Sequence, residues 1–137
     1  HQQPPEIGVL EVALTPEGRK DPIFVGMPTI QRALQWHSVK VVEPPPEAVV
    51  LASSDLCPIQ AMRVGCHAWS MQYHVEVEAD TVPTWGTVPE YRAALESTLG
   101  PTALTGLAED AERCMDDFVA NSKQLYDNFV NAVQQSG

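Results

Sequence analysis

The sequence predicts a mixed α/β fold with a β-rich first part and a helical second part. Short apolar runs bounded by Gly and Pro turn residues fill the chain to about residue 79. From there the apolar residues recur three and four positions apart, the period of an amphipathic helix. Little strand–helix alternation is visible. This order favours an α+β fold for a complete domain, and the tail of an α/β sheet if a βαβ part precedes it.

The predicted strands are short and separated by turn residues. Gly65 is predicted to turn a hairpin, and Pro44-Pro45-Pro46 marks a loop because proline cannot donate ladder hydrogen bonds. Asp21–Met27 carries Pro22 near its start and is predicted to be a short helical element. The strands are expected at Gly8–Leu14, Thr29–His37, Val39–Val42, Ala48–Ser53, Pro58–Val64 and Cys66–His74.

Helices are predicted from Thr81 to Trp85, from Pro89 to about Leu99, and along the remaining chain. The last segment has the clearest period of all. Two interpretations of its apolar face are open: it binds a partner, or it covers the protein's own sheet or a second subunit. We favour the second, because apolar helix faces usually pack in their own core. The face consists of Leu104, Leu107, Ala108, Ala111, Met115, Phe118, Val119, Ser122, Tyr126, Phe129, Val130 and Val133.

Composition excludes several classes of function. The 137 residues suffice for one domain, or a large piece of one, and carry a formal net charge of -10. This charge argues against nucleic acid and against anionic membranes as partners. No apolar run is long enough to span a bilayer, and no signal-peptide pattern is present. The sparse, odd set of three cysteines favours a reducing, cytoplasmic location. The first residue is His1 rather than Met, so we expect a processed chain or a segment of a longer one.

The sharpest local feature is the sequence Gln72-Tyr73-His74-Val75-Glu76 at the end of a predicted strand. Residues two apart on a strand point to the same face, so His74 and Glu76 are expected to project together. A carboxylate beside an imidazole fixes its tautomer and stabilises its protonated form. The spacing therefore indicates a general base with its orienting group. The alternative, an exposed His and Glu at a strand edge, is favoured by the spacing alone, because His-x-Glu is short and common.

Other chemistries fit less well. The His-x-Glu signature of zinc deaminases needs a later Pro-Cys-x-x-Cys, which is missing. A metal site from His37, Cys66, His67 and His74 is awkward, since adjacent Cys66 and His67 point to opposite strand faces. We therefore predict no metal and no cofactor. None of Cys57, Cys66 and Cys114 lies in the Gly-x-Cys-x-Gly setting of a nucleophile elbow, so all three are interpreted as structural.

Several segments together resemble the second half of a class I glutamine amidotransferase domain, in particular the stand-alone enzymes similar to the glutaminase domain of GMP synthase. The resemblance covers about residues 6 to 85. Its segments are EIGVLEVALTPEGRKDPIF (Glu6–Phe24), LQWHSVKVVEPPPEAVVLASS (Leu34–Ser54) and CPIQAMRVGCHAWSMQYHVEVEADTVPTW (Cys57–Trp85). A Gln-Tyr-His-x-Glu motif that comes after the other segments in this order is a far more specific signal of the family than His-x-Glu alone.

The resemblance implies a flavodoxin-like three-layer α/β/α sandwich, of which residues 1–137 are a C-terminal part: mainly strands and the His-x-Glu pair at 6–85, and a helical tail at 86–137. It implies a Cys-His-Glu triad that hydrolyses the glutamine side-chain amide, with His74 as base and Glu76 as orienter. Trp36 and His37 match a segment near the bound glutamine, although Ser38 and Val39 replace the Gly-Asp pair of many relatives.

The family's nucleophilic cysteine lies upstream of the matched region, so this chain alone is expected to be inactive. The implied partners are glutamine and an ammonia acceptor or synthase partner, and a homodimer is one assembly open to the protein. Two alternatives remain: a degenerate, non-catalytic binding module of the same fold, or a Cys-His-Glu hydrolase that cleaves γ-glutamyl or peptide bonds.

Overall fold

The computed structural model describes residues 4–135, and in this part the expected mixed α/β architecture is confirmed. The expectation of a processed chain, or of a segment of a longer one, concerns His1, which lies outside the described residues. The strands are β1 (Glu6–Leu14), β2 (Ile30–His37), β3 (Ala48–Ser53), β4 (Ala61–Val64) and β5 (Ala68–Met71). The helices are α1 (Thr81–Trp85), α2 (Pro89–Leu99), α3 (Ala103–Arg113) and α4 (Met115–Gln134), with short 3-10 helices at Gly18–Lys20 and Pro22–Phe24.

The five strands form one curled sheet in the order β2-β1-β3-β4-β5, and every neighbouring pair is antiparallel. The β4–β5 hairpin turns through Gly65, whose φ of 61° suits a residue without a side chain. Beyond β5 the chain returns to the free edge of β2. There the backbone N–H groups of Leu34 and His74 each donate to the other's carbonyl oxygen, at 2.9 Å. The segment that follows edge strand β5 is thus joined at one point to β2, the edge strand on the other side of the sheet.

The sheet is buried on both faces because its strands are apolar at consecutive positions. On β2, Ala33 lies in one hydrophobic cluster and its neighbour Leu34 in the other. The first cluster holds the 3-10 residues Ile23 and Phe24, and the second joins the sheet to α1–α4 through side chains such as Phe118. The second cluster supports the segment that follows β5.

Three predicted elements are wrong in their bounds or type. Val39–Val42 is not a strand: Val39 and Val42 are 55% and 80% exposed, and no strand pairs with this segment. The hairpin arm expected to reach His74 ends at Met71, because a bend at positions 72–73 directs the chain towards β2. The single long C-terminal helix is two helices that meet at Cys114, a residue with φ -101° and ψ 5°.

The apolar face of the C-terminal segment divides at about its middle. Leu107, Ala111 and Phe118 are buried, as expected for a helix that covers its own domain. Farther along α4, Tyr126 and Phe129 are 67% and 47% exposed. No helix in residues 4–135 is both long and apolar enough to cross a membrane.

Candidate active site

His74 and Glu76 form a hydrogen-bonded pair in the extended segment that follows β5. The imidazole Nδ1 lies 2.6 Å from Glu76 Oε1, and the backbone N–H of Val75 donates to Glu76 Oε2 at 3.0 Å. A carboxylate can only accept, so Nδ1 carries the proton and Nε2 is the basic nitrogen. No described residue forms a hydrogen bond with Nε2. The pair therefore has the arrangement of a base with its orienting group.

The pair is accessible, and its hydrogen bond changes the acidity of the carboxyl. The His74 side chain is 32% exposed and that of Glu76 is 66% exposed. The hydrogen bond from His74 lowers the pKa of Glu76, and this effect outweighs the opposing effect of partial burial. Glu76 is thus held as the ionised acceptor that the base needs.

One aromatic ring, that of Trp85, contacts the imidazole, and two further rings contact Trp85. The rings of His74 and Trp85 lie edge to face, with centroids 5.0 Å apart and planes at 76°. Trp85 in turn contacts Trp36 at 5.9 Å and Tyr91 at 6.4 Å. Trp36, one of the two residues expected near a substrate, thus lies one ring away from His74.

The structure separates His37 from that group, because adjacent residues on β2 point to opposite faces. Its Nδ1 lies 3.0 Å from the Val39 carbonyl oxygen, and its Nε2 lies 3.0 Å from Gln35 Oε1 and 3.3 Å from Glu6 Oε2. Both ring nitrogens therefore face protein acceptors, and neither is open to a substrate.

Glu6 is the centre of a buried polar network beside His37. Its side chain is 2% exposed. Ser54 Oγ donates to Glu6 Oε1 at 2.6 Å, and Gln60 Nε2 donates to Oε2 at 2.9 Å and to Ser54 Oγ at the same distance. These contacts join β1, the end of β2 and the loop after β3. The network is a structural element of the sheet.

The three cysteines lie in different environments. Cys57 is buried, and burial raises the pKa of its thiol, which its neighbour Glu6 raises further. Cys114 is buried at the junction of α3 and α4, and Cys66 is exposed in the turn between β4 and β5. Within residues 4–135 no group of three or more His, Cys, Asp or Glu side chains is placed to hold a metal ion.

Comparison with known proteins gives matches in sequence and in fold. Over 73 residues, 53% of this chain, the sequence is 37% identical to one subunit of the glutamine-hydrolysing GMP synthase of Pyrococcus abyssi. The structure superposes on a glutamine amidotransferase of Thermotoga maritima with a TM-score of 0.76 and 25% identity, covering 94% of this chain. A glutamine amidotransferase of Methylobacillus flagellatus matches over 96% of the chain at 17% identity, with a TM-score of 0.75.

The chain has a class I glutamine amidotransferase fold and resembles that family in sequence. The family resemblance and the fold class predicted from the sequence are thereby confirmed. No family model matches the chain. The chain spans 37% of the length of the P. abyssi protein and 53% of the T. maritima amidotransferase.

Sequence reasoning missed two features, the aromatic rings near His74 and the buried network of Glu6. Trp85 and Tyr91 were assigned to helices without any link to His74, since periodicity does not show which helix end meets a distant strand. Glu6 lies outside the predicted strand, which begins at Gly8, although the structure makes it the first residue of β1. A carboxylate at the first position of an otherwise apolar strand is a signal for a buried network, but its partner Gln60 is 54 residues away.

Proposed function

We propose that this chain supplies the general base and its orienting carboxylate to a glutamine-hydrolysing site of the class I amidotransferase kind. The observation that carries the proposal is the 2.6 Å bond between His74 Nδ1 and Glu76 Oε1 on an accessible imidazole. The amidotransferase fold supplies the context, because the relatives in sequence and structure are named for reactions of glutamine.

In this mechanism a cysteine thiol outside the described residues gives its proton to His74 Nε2 and attacks the side-chain amide carbon of glutamine. The imidazolium, stabilised by Glu76, then protonates the departing nitrogen. The C–N bond breaks, ammonia leaves and a glutamyl thioester remains. His74 next removes a proton from water, which hydrolyses the thioester to glutamate and restores the thiol.

Two of the three cysteines fit the nucleophile poorly, and the exposed Cys66 lacks the Gly-x-Cys-x-Gly setting of a nucleophile elbow, which supports a thiol from elsewhere. Burial and the raised pKa of Cys57 oppose thiolate formation, and Cys114 is packed in the core. The proposal therefore treats residues 4–135 as the C-terminal part of the amidotransferase domain. Trp36 is the better candidate for a substrate contact, since both ring nitrogens of His37 already face protein acceptors.

The proposed partner is a synthase protein that consumes the ammonia. The P. abyssi relative is named as one subunit of a glutamine-hydrolysing GMP synthase, and a protein that releases ammonia in such an assembly needs an acceptor elsewhere. The homodimer, the cytoplasmic location and the lack of a cofactor stay predictions.

The test is ammonia release from glutamine by the complete protein that contains this chain. We expect His74→Ala to abolish release and Glu76→Gln to lower kcat by about 10²–10⁴-fold, the range of general acid–base catalysis. His67→Ala is the matched control, because His67 is an exposed histidine in the turn between β4 and β5. Full activity in His74→Ala would contradict the proposal.

Two other outcomes decide between this function and its alternatives. Ammonia release by residues 1–137 alone would show that the nucleophile lies within the chain. If the complete protein shows no activity towards glutamine or γ-glutamyl peptides, the non-catalytic binding module becomes the better description.

A further inference from the structure

One hydrogen bond does not fix an imidazole. The torsion between a histidine ring and its Cβ atom is soft and broad, so the ring can tilt while Nδ1 keeps its acceptor. Glu76 is itself 66% exposed, and an exposed carboxylate can follow the moving ring. A second contact is needed to keep Nε2 in one direction.

Trp85 makes that second contact. Its ring lies edge to face with His74 at a centroid distance of 5.0 Å, within the range favourable for aromatic pairs. The indole is bulky and half-buried, so it restricts the imidazole where the carboxylate does not.

Trp85 is itself in contact with two further rings. Trp36 contacts its ring at 5.9 Å and Tyr91 contacts it at 6.4 Å. These two residues are tied together, since Trp36 Nε1 donates to the Tyr91 carbonyl oxygen at 3.3 Å. Gly86 lets the end of α1 lie against α3: a Cβ atom there would come within 2.6 Å of the Leu104 side chain. The indole is thus in contact with residues of β2 and α2, and the end of α1 that carries it lies against α3.

We propose that Trp85 is a positioning residue that fixes the ring plane of His74, so that Nε2 points in one direction while Glu76 holds Nδ1. Its catalytic consequence rests on the proposed function, whereas its effect on the imidazole does not. The inference predicts that an aromatic ring, rather than bulk alone, is required at position 85.

The first experiment reads the imidazole of the 137-residue chain by nuclear magnetic resonance, with ¹⁵N-labelled histidine. In the natural chain we expect the Nδ1–H tautomer, a downfield Nδ1–H resonance protected from solvent exchange, and Overhauser effects between the His74 and Trp85 rings. Trp85→Phe should keep the tautomer and the protected resonance. Trp85→Leu should lose the resonance to exchange and show a mixture of tautomers.

The matched control is Trp69→Leu. Trp69 is also half-buried and also lies edge to face with an aromatic ring, Phe129, at 6.2 Å. We expect its variant to leave the His74 signals unchanged. Circular dichroism shows which variants fold. If Trp85→Leu does not fold, the ring contacts of the natural chain and of Trp85→Phe decide the matter. Unchanged His74 signals in a folded Trp85→Leu chain, or missing ring contacts in the natural chain, would overturn the inference.

The second experiment measures glutamine hydrolysis by the complete protein. Displacing a reacting group by about 1 Å can cost on the order of 10²-fold in rate. We expect Trp85→Leu to lower kcat by up to about that factor with KM unchanged, and Trp85→Phe to restore most of it. A rise in KM alone would assign Trp85 to substrate binding and overturn the positioning role. If His74→Ala stays active, the proposed function fails, but the resonance experiment still tests Trp85.

Discussion

Two histidine–glutamate pairs lie within residues 4–135, and they differ in their exposure and in their hydrogen-bond partners. Glu6 and His37 are 2% and 11% exposed, lie at the open end of the β1–β2 hairpin, and have further protein partners. His74 and Glu76 are 32% and 66% exposed, and they make one hydrogen bond to each other. Pairing alone therefore does not identify a base. What separates the two pairs is whether a ring nitrogen stays accessible and without a protein partner.

The largest expected effect is on the buried pair. Glu6→Ala leaves Ser54, Gln60 and His37 without their shared acceptor, and each buried group left unpaired costs about 1–3 kcal/mol of unfolding free energy. Urea unfolding measures the loss. The matched control is Glu11→Ala on the exposed face of the same strand, with a change within about 0.5 kcal/mol. Equal effects at both positions would remove the structural role of Glu6.

Chemical labelling compares the accessibility of the ring nitrogens of His74 and His37. Diethyl pyrocarbonate reacts with an unprotonated, accessible imidazole nitrogen. We expect His74 to be modified well before His37, both of whose ring nitrogens face acceptors. Peptide mapping by mass spectrometry gives the two rates, and the exposed His67 serves as reference. Equal rates at His74 and His37 would contradict the distinction.

A smaller effect is expected from the accessible pair on stability. Glu76→Gln alters a mostly exposed side chain, so at neutral pH the unfolding free energy should change by about 0.5 kcal/mol or less. Urea unfolding beside Glu6→Ala shows the contrast. A loss as large as that of Glu6→Ala would mean that the accessible pair is part of the scaffold.

The smallest expected effect is the change with pH in the contribution of Glu76 to the unfolding free energy. The pKa of Glu76 is lowered in the folded chain, chiefly by the hydrogen bond from His74. Its stabilising contribution is therefore present above the unfolded-state pKa, ordinarily 4.5, and is lost as the pH falls through the lower folded-state value. The difference in stability between the natural chain and Glu76→Gln should shrink in this acid range. A difference that grows on acidification would reverse the sign of the linkage.

The parts of the fold that the sequence predicted well are those with local signals. β3 is a short apolar run, α2 begins at a proline and ends before Gly100, and the β4–β5 hairpin turns at Gly65. Val39–Val42 was predicted as a strand from its β-branched residues, but strand formation needs a partner, and none of the five strands pairs with it.

The break between α3 and α4 left no sequence signal. No Gly or Pro stands at Cys114, and the apolar period runs through the junction. Cys114 and Phe118 are both buried in the second hydrophobic cluster, so the break lies at a position that is packed in the core.

The site was predicted in part. The spacing of His74 and Glu76 implied that their side chains lie together, and the hydrogen bond between them is present although the residues follow a strand rather than end one. The backbone bridge to Leu34 and the ring of Trp85 depend on long-range contacts, which no local pattern contains.

The bridge between Leu34 and His74 has a consequence for how the site can vary. The bond between imidazole and carboxylate is contained in three successive residues, so it moves with them as a unit. The direction in which that unit faces depends instead on the two backbone hydrogen bonds to Leu34 on β2, a strand of a different hairpin. The hydrogen bond within the pair and the direction in which the pair faces therefore depend on separate interactions. A shift in the register of β1 and β2 could change the direction of Nε2 while the bond between His74 and Glu76 stays intact.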